Sequence, residues 1–537
     1  MVRKDMLRQA QNQFTPLIPS PSVLRPPSRR PQPAPSASPG RSAQFPHFIL
    51  DKICNCLART KIYLSVVYSH LTTVMDLFET PLNPNKRLKE EFVSNLMGSS
   101  MLEIAALSTI VPGLVVLRKW SSSCSLNDYT QKNLAKKGKN VKPSPKGLGS
   151  HLVALALDYI TVTFPILLFF TLLAEWCYQF AILVVLVFIF RMAWKRSESK
   201  GERSHFSSFR NIVSSYRVSV VVVTCLCILA VDFKIFPRRY AKTEIYGTSL
   251  MDLGVGSFVV VNALTSKQAQ DFKSLNLKAA LQSISPLILL GFGRLISTTG
   301  VDYQVHVGEY GVHWNFFFTL SAVSILTSFI QIHPRYCGLL GVLILSGYQI
   351  VLAFGLSEYL TSSKREPNLI SQNKEGIFSI FGYWGMYLIG VYFGHKLLVR
   401  ANSSGKDVDN QFLRIKIWSL AAIFWTLTVI LDNYVQRVSR RMCNMAYVTI
   451  VLAQNFQVLS VLTLADSEGI LVFEDTFNQN LLGSFLLANI LTGMVNLSVD
   501  TLSASPATAL IILVAYSFVL CFSVGMASFF GIRFKFW

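Results

Sequence analysis

From Phe92 onward the chain alternates long apolar runs with short polar connections. The runs fall near 98–117, 151–173, 176–193, 213–233, 249–264, 277–297, 315–333, 338–356, 376–394, 415–435, 444–465, 480–499 and 506–530. A helix needs about 20 apolar residues to cross a bilayer untilted, and most of these runs approach that length. The pattern predicts an all-α, polytopic transmembrane helical bundle of about thirteen spans. The run at 249–264 is the weakest, being short and rich in glycine. No internal repeat is evident, which disfavours an inverted-repeat transporter.

Residues 1–90 stand apart as a basic N-terminal extension, and residues 91–537 form the multi-span domain. Met1–Pro46 is rich in Pro, Ser, Arg and Gln and poor in acids, a composition that cannot build a packed core. It overlaps that of a transit peptide, but disorder fits better. Phe48–Phe78 is apolar in part and broken by charges, as in a surface helix.

Composition agrees with the pattern. Only 15% of the chain is charged, against roughly a quarter in a soluble domain, while 51% is hydrophobic. The net charge of +21 is spread over connections rather than gathered on one face, which argues against nucleic acid and fits an anionic lipid surface. The nine cysteines are scattered without zinc-ligand spacing, so no metal site or disulfide framework is expected.

Lysine and arginine accumulate in odd-numbered connections: Arg118–Lys146 in the first, Lys195–Arg210 in the third, Lys396–Lys406 in the ninth. The positive-inside rule places these in the cytoplasm and the even-numbered connections on the far side. The basic extension and the acidic Asp466–Asp475 connection run against this assignment.

The fourth connection is unlike the rest. Asp232 ends one apolar run, Asp252 begins the next, and Arg238, Arg239, Lys242 and Glu244 lie between them, in a turn stiffened by Pro237. Ionisable groups at membrane depth are costly and are paired or functional by default. On the residues alone, an ion pair between Asp232 and Lys242 closing two helix ends explains them well. So does a general base whose pKa is raised by burial and lowered by a nearby ammonium.

The segment AVDFKIFPRRYAKTEIYGTSLMDLGVGSF at 230–258 resembles the signature of the glycosylphosphatidylinositol (GPI) inositol acyltransferase family (PIG-W-like). Further similarity follows in FVSNLMGSSMLEI (92–104), GFGRL (291–295), EYGVHWNFFFTL (309–320), KEGI (374–377), VSRRMCNMAYV (438–448) and NILTGMVNLSVDTL (489–502). It extends over nearly all of Phe92–Trp537. One departure is Lys234, where the family usually has proline.

The resemblance implies a multi-pass enzyme of the endoplasmic reticulum membrane. It would move a long acyl chain, typically palmitoyl, from acyl-CoA to the inositol of glucosaminyl-phosphatidylinositol, with acyl-CoA as co-substrate and no other cofactor. It also implies Asp232 and Lys242 as the catalytic pair. Secondary candidates are His313, which titrates near neutrality, and Asp252. Arg238, Arg239, Arg440 and Arg441 suit phosphate, or else snorkel to the interface. Phe316, Phe317 and Phe318 line an acyl chain or simply pack helices. Cys225 shares a helix face with Asp232, so an acyl-cysteine route is conceivable. Asn496-Leu-Ser498 fits the glycosylation triplet, but at a span end. The competing functions are a lipid transporter or flippase and a non-catalytic scaffold subunit.

Overall fold

A computed structural model of the protein describes residues 84–125, 145–198, 209–270, 277–298, 307–403, 408–465 and 470–533. All lie in one compact unit, His70–Trp537. The expected extension, with Phe48–Phe78, falls outside the described residues apart from the start of a helix at Pro84–Val93. Among the described residues there is no β-strand, only isolated bridges at Thr248. The expected all-α bundle is what the chain forms.

The apolar helices are, in order, α1 (Met101–Ser125), α2 (Pro145–Asp158), α3 (Cys177–Glu198), α4 (Phe209–Ala230), α5 (Leu250–Leu264), α6 (Leu277–Thr298) and α7 (Phe316–Ile330). Then come α8 (Pro334–Val351), α9 (Lys374–Ser403), α10 (Val408–Tyr434), α11 (Met445–Leu462), α12 (Leu481–Ser498) and α13 (Pro506–Phe529). Ten apolar helical stretches among the described residues are long enough to cross a membrane, while α5, α7 and the apolar part of α6 (Ile284–Ser297) are shorter. Each run is helical because hydrocarbon offers a backbone no partner outside its own segment. Side-chain caps satisfy several helix starts: Ser249 accepts from the Asp252 amide, Asn315 from Phe317, Asn444 from Tyr447 and Ser505 from Thr508.

Helix α11 is the centre of the bundle. In its most apolar window 83% of residues are buried, against 22% in α3, α10 and α12, which turn their side chains to lipid. Apolar lipid supplies little drive for helices to associate, so close contact of small residues matters. A Cβ on Gly341 of α8 would sit 2.8 Å from the Gly385 carbonyl of α9, and one on Gly256 of α5 would sit 2.5 Å from Val451 of α11.

Polar contacts sort the connections into two groups. At one end Arg239 binds Glu103 and Glu175, Lys242 binds Glu309, Arg440 binds Glu309, and Arg441 binds Glu375. These residues belong to the start of α1, the even-numbered connections and the start of α9. At the other end Lys119 binds Glu474 and Ser215, Gln268 binds the Ile332 carbonyl, and Arg414 binds the Thr463 carbonyl. Those belong to the odd-numbered connections and the helix ends that adjoin them. The division is the one expected if the short helices run from end to end like the long ones.

The charged turns 231–249 and 307–315 precede the two short helices. Fifteen residues each, α5 and α7 reach only about 22 Å, against about 30 Å of hydrocarbon.

Candidate active site

Three stretches remote in sequence are tied together at the charged end. The Ser99 amide donates to the Thr248 carbonyl at 2.7 Å, and the Thr248 hydroxyl donates to the Ser99 carbonyl at 2.8 Å. The Glu244 amide donates to Leu96, and the Gly247 amide to Val438. Gly98 (φ +83°) and Gly247 (φ +124°) occupy the left-handed half of backbone space, and a Cβ at either would strike the opposing carbonyl. Thus FVSNLMGSS, AKTEIYGTS and VSRRM, separate motifs in the sequence, are one physical unit.

Asp232 lies just past α4 and is 6% exposed. Its one side-chain hydrogen bond among the described residues comes from the Asn496 amide nitrogen, at 2.8 Å to Oδ2. Burial pushes its carboxyl up to about 6, although Asn496, Lys89 and Arg238 pull the other way. Arg238 staples the turn, donating to the carbonyls of Val231, Phe233 and Phe236, with its guanidinium 4.0 Å from the Phe92 ring centroid.

Lys242 does not pair with Asp232. Its Nζ donates to both oxygens of Glu309, at 2.8 and 3.0 Å. Burial alone would raise Glu309, but Lys242 and Arg440 outweigh it and hold the carboxyl down at about 2. Burial lowers Lys242 against the pull of Glu309. The simple Asp232–Lys242 ion pair read from the sequence is thus replaced by two separate pairs. The reason is geometric: Asn496 and Glu309, from α12 and the connection before α7, reach the turn first.

From Glu309 a chain of charges runs inward. Arg440, 3% exposed in its side chain, joins Glu309 (3.2 Å) to Asp252 (2.6 Å). Asp252 also accepts from the Thr243 hydroxyl at 2.7 Å and the Thr243 amide at 3.2 Å. Beside it Arg441 binds Glu375 at 2.9 Å, and Glu375 also takes Arg365 at 2.7 Å. Lys374, fully buried, donates to the carbonyls of Tyr359, Ser362 and Lys364. Arg239 is held by Glu103 and Glu175, and the Tyr240 hydroxyl shares Glu103. Arg239, Arg440 and Arg441 each have carboxylate partners within the chain.

The remaining candidates are dispersed. The His313 amide donates to Asn373, and burial lowers its imidazole against a bond with Gln372. Phe316 faces Tyr383 and Tyr310, Phe317 faces Phe485, and Phe318 packs on Phe292 and Trp314. Cys225 has no exposed surface, so a covalent route through it lacks access. Asn496, read as part of a glycosylation triplet, is instead committed to Asp232. The fold adds Glu309, Glu103 and Glu375 to the site and gives Asn496 a partner that the triplet does not suggest. The acid surplus of EYGVHWN against the basic surplus of the Asp232 turn was a usable signal for Glu309.

The sequence model of the GWT1 family matches residues 85–527. An uncharacterised protein of Arabidopsis thaliana is 54% identical over 388 residues, covering 72% of this chain and 89% of that protein. The phosphatidylinositol-glycan biosynthesis class W protein of Dictyostelium discoideum is 36% identical, over 61% of this chain and 76% of its own length. The GPI-anchored wall transfer protein 1 of Aspergillus oryzae is 35% identical, over 80% of this chain and 95% of its own length. With a family match that reaches from the helix before α1 to the end of α13, the chain belongs to the GWT1 family.

Proposed function

We propose that this multi-pass membrane protein acts in GPI-anchor biosynthesis as an acyltransferase of the endoplasmic reticulum membrane, moving a long acyl group, typically palmitoyl, from acyl-CoA to an inositol hydroxyl of glucosaminyl-phosphatidylinositol. The names of the relatives support the pathway. The observation that carries the chemistry is Asp232: a buried carboxylate just past an apolar helix, with one neutral hydrogen-bond partner among the described residues and a pKa of about 6. Such a group is mostly ionised at neutral pH yet basic enough to take a proton.

In this reading Asp232 removes the inositol hydroxyl proton as the oxygen attacks the thioester carbon. A tetrahedral oxyanion forms, the carbon–sulfur bond breaks, and CoA leaves as the thiolate, which takes up a proton. Asn496 positions Asp232. Lys242, set by Glu309 and 34% exposed in its side chain, supplies the cation for the oxyanion. An acyl chain held among the apolar helices gains about 0.8 kcal/mol per buried methylene. The transporter alternative gains nothing from these relatives.

The test is transfer from labelled palmitoyl-CoA to glucosaminyl-phosphatidylinositol by the purified protein. Lys242→Ala should lose most turnover at normal protein level; full turnover in that variant removes Lys242 from the mechanism.

A further inference from the structure

Buried cations in this protein are met by partners from the chain. Lys119 has Glu474 and Ser215, Lys374 has three carbonyls, Arg440 has Asp252 and Glu309, and Arg441 has Glu375. Arg118 has Asp158, and Arg238 has the carbonyls of its own turn. Among the described residues the half-buried Arg217 differs from these. It lies within the apolar helix α4, its Nε is enclosed, and among the described residues it has no hydrogen bond, ion pair or ring partner. An arginine at such a place without a partner marks a binding function by default.

A second observation points the same way. The Ser214 hydroxyl, three residues earlier and on the same helix face, is also enclosed without a partner. The two residues between them are committed elsewhere: Ser215 accepts from Lys119, and the Tyr216 hydroxyl donates to Asn455. Arg217 and Ser214 therefore present unsatisfied donors side by side, about 12 Å in from the end of α4 that follows the basic connection Lys195–Arg210. From Arg217 a half-buried ridge continues along α4 through Val220, Thr224, Ile228 and Val231, between fully buried positions, and ends beside Asp232.

We propose that Arg217, assisted by Ser214, is a phosphate-binding site for the acyl carrier on its way to Asp232. A guanidinium with a neighbouring hydroxyl matches phosphate oxygens in charge and in donor geometry. Arg217 and Asp232 are separated by about 22 Å of helix, which suits a carrier that leaves its phosphates behind and presents its thioester at the end of a long arm. The phosphate of a membrane lipid has the same chemistry and is the other source. The assignment to CoA rests on the acyl-transfer reading; the phosphate site does not.

The test uses the full-length protein in neutral nanodiscs, with Arg217→Gln and Arg217→Lys. Thermal stabilisation by CoA and by CoA lacking its 3′-phosphate is measured, together with KM for palmitoyl-CoA. Because Arg217 has no partner to lose, the unliganded Arg217→Gln protein should melt no lower than wild type. Its CoA affinity should fall about tenfold, with KM for palmitoyl-CoA rising in step, unchanged KM for the inositol lipid, and partial rescue by lysine. Unchanged CoA binding and unchanged stabilisation by phosphatidic acid in Arg217→Gln overturn the site. Loss of the phosphatidic acid response alone overturns the carrier assignment. Arginine-dependent CoA binding by a wild-type protein that transfers no acyl group overturns the acyl-transfer reading and leaves the site standing.

Discussion

Asp232 and Asp252 flank the same turn and are both buried, yet they are provided for in opposite ways. Asp252 receives a guanidinium, a hydroxyl and a backbone amide, and Arg440 locks it to a second carboxylate. Asp232 receives one neutral amide. Burial pushes both carboxyls up, but the donors around Asp252 fix its side chain in the structure, whereas Asp232 keeps one carboxylate oxygen without a hydrogen-bond partner among the described residues. Sequence position alone would make the two residues equivalent; their partners separate them, into a structural tie at Asp252 and, on the proposed function, a base at Asp232.

The sharpest way to break this contrast is to neutralise each residue in turn. Asp232→Asn should lower kcat about a hundredfold to ten-thousandfold. Stability should move the other way. The folded pKa of Asp232, about 6, lies above its ordinary value of 3.8, so the group withdraws stability as pH rises between those values and keeps it withdrawn above. Removing the charge should therefore leave the melting temperature at pH 7.5 equal or higher. A large drop in melting temperature with turnover retained would reverse the roles.

Asp252→Asn should do the opposite, lowering stability by about 3–5 kcal/mol because Arg440 keeps its charge and loses a partner. Molecules that remain folded should retain turnover. Denaturation in detergent, paired with activity per folded molecule, separates the two effects.

Glu309→Gln tests whether Lys242 depends on the charge network. Glu309 pulls the lysine pKa upward, so its loss should bring the alkaline fall in kcat to lower pH, with kcat down about tenfold at neutrality. Glu309→Asp should restore part of it. An unshifted alkaline limb would detach Glu309 from Lys242.

The smallest effect is expected at Asn496. Its amide stabilises ionised Asp232, so Asn496→Ala should raise that pKa and move the acid limb of the rate profile upward from about 6, by about one unit at most. An acid limb that stays in place would mean that Asp232 is not the titrating base.

The helices were legible because apolar runs of this length have few other outcomes, and Asp232, Lys242 and Asp252 stood out as charges against that pattern. Their partners did not. Glu309 lies 67 residues from Lys242, and Asn496 lies 264 from Asp232. No local period links positions so far apart, and each of these partners had an ordinary local explanation, as a span-end charge or a glycosylation triplet. For Arg440 the sequence offers phosphate binding or snorkelling, and a pair of arginines gives no sign of the carboxylates of Asp252 and Glu309 that the fold brings to it. Arg217 was hidden by the apolar run around it.

The bond between Asn496 and Asp232 also has a consequence for how the protein is made. Helix α4 leaves the ribosome long before α12, so Asp232 enters the membrane without its amide partner and waits through most of synthesis. The proposed catalytic carboxylate gains its amide partner only when α12 arrives. A nascent or truncated chain therefore carries the residue but not the finished site.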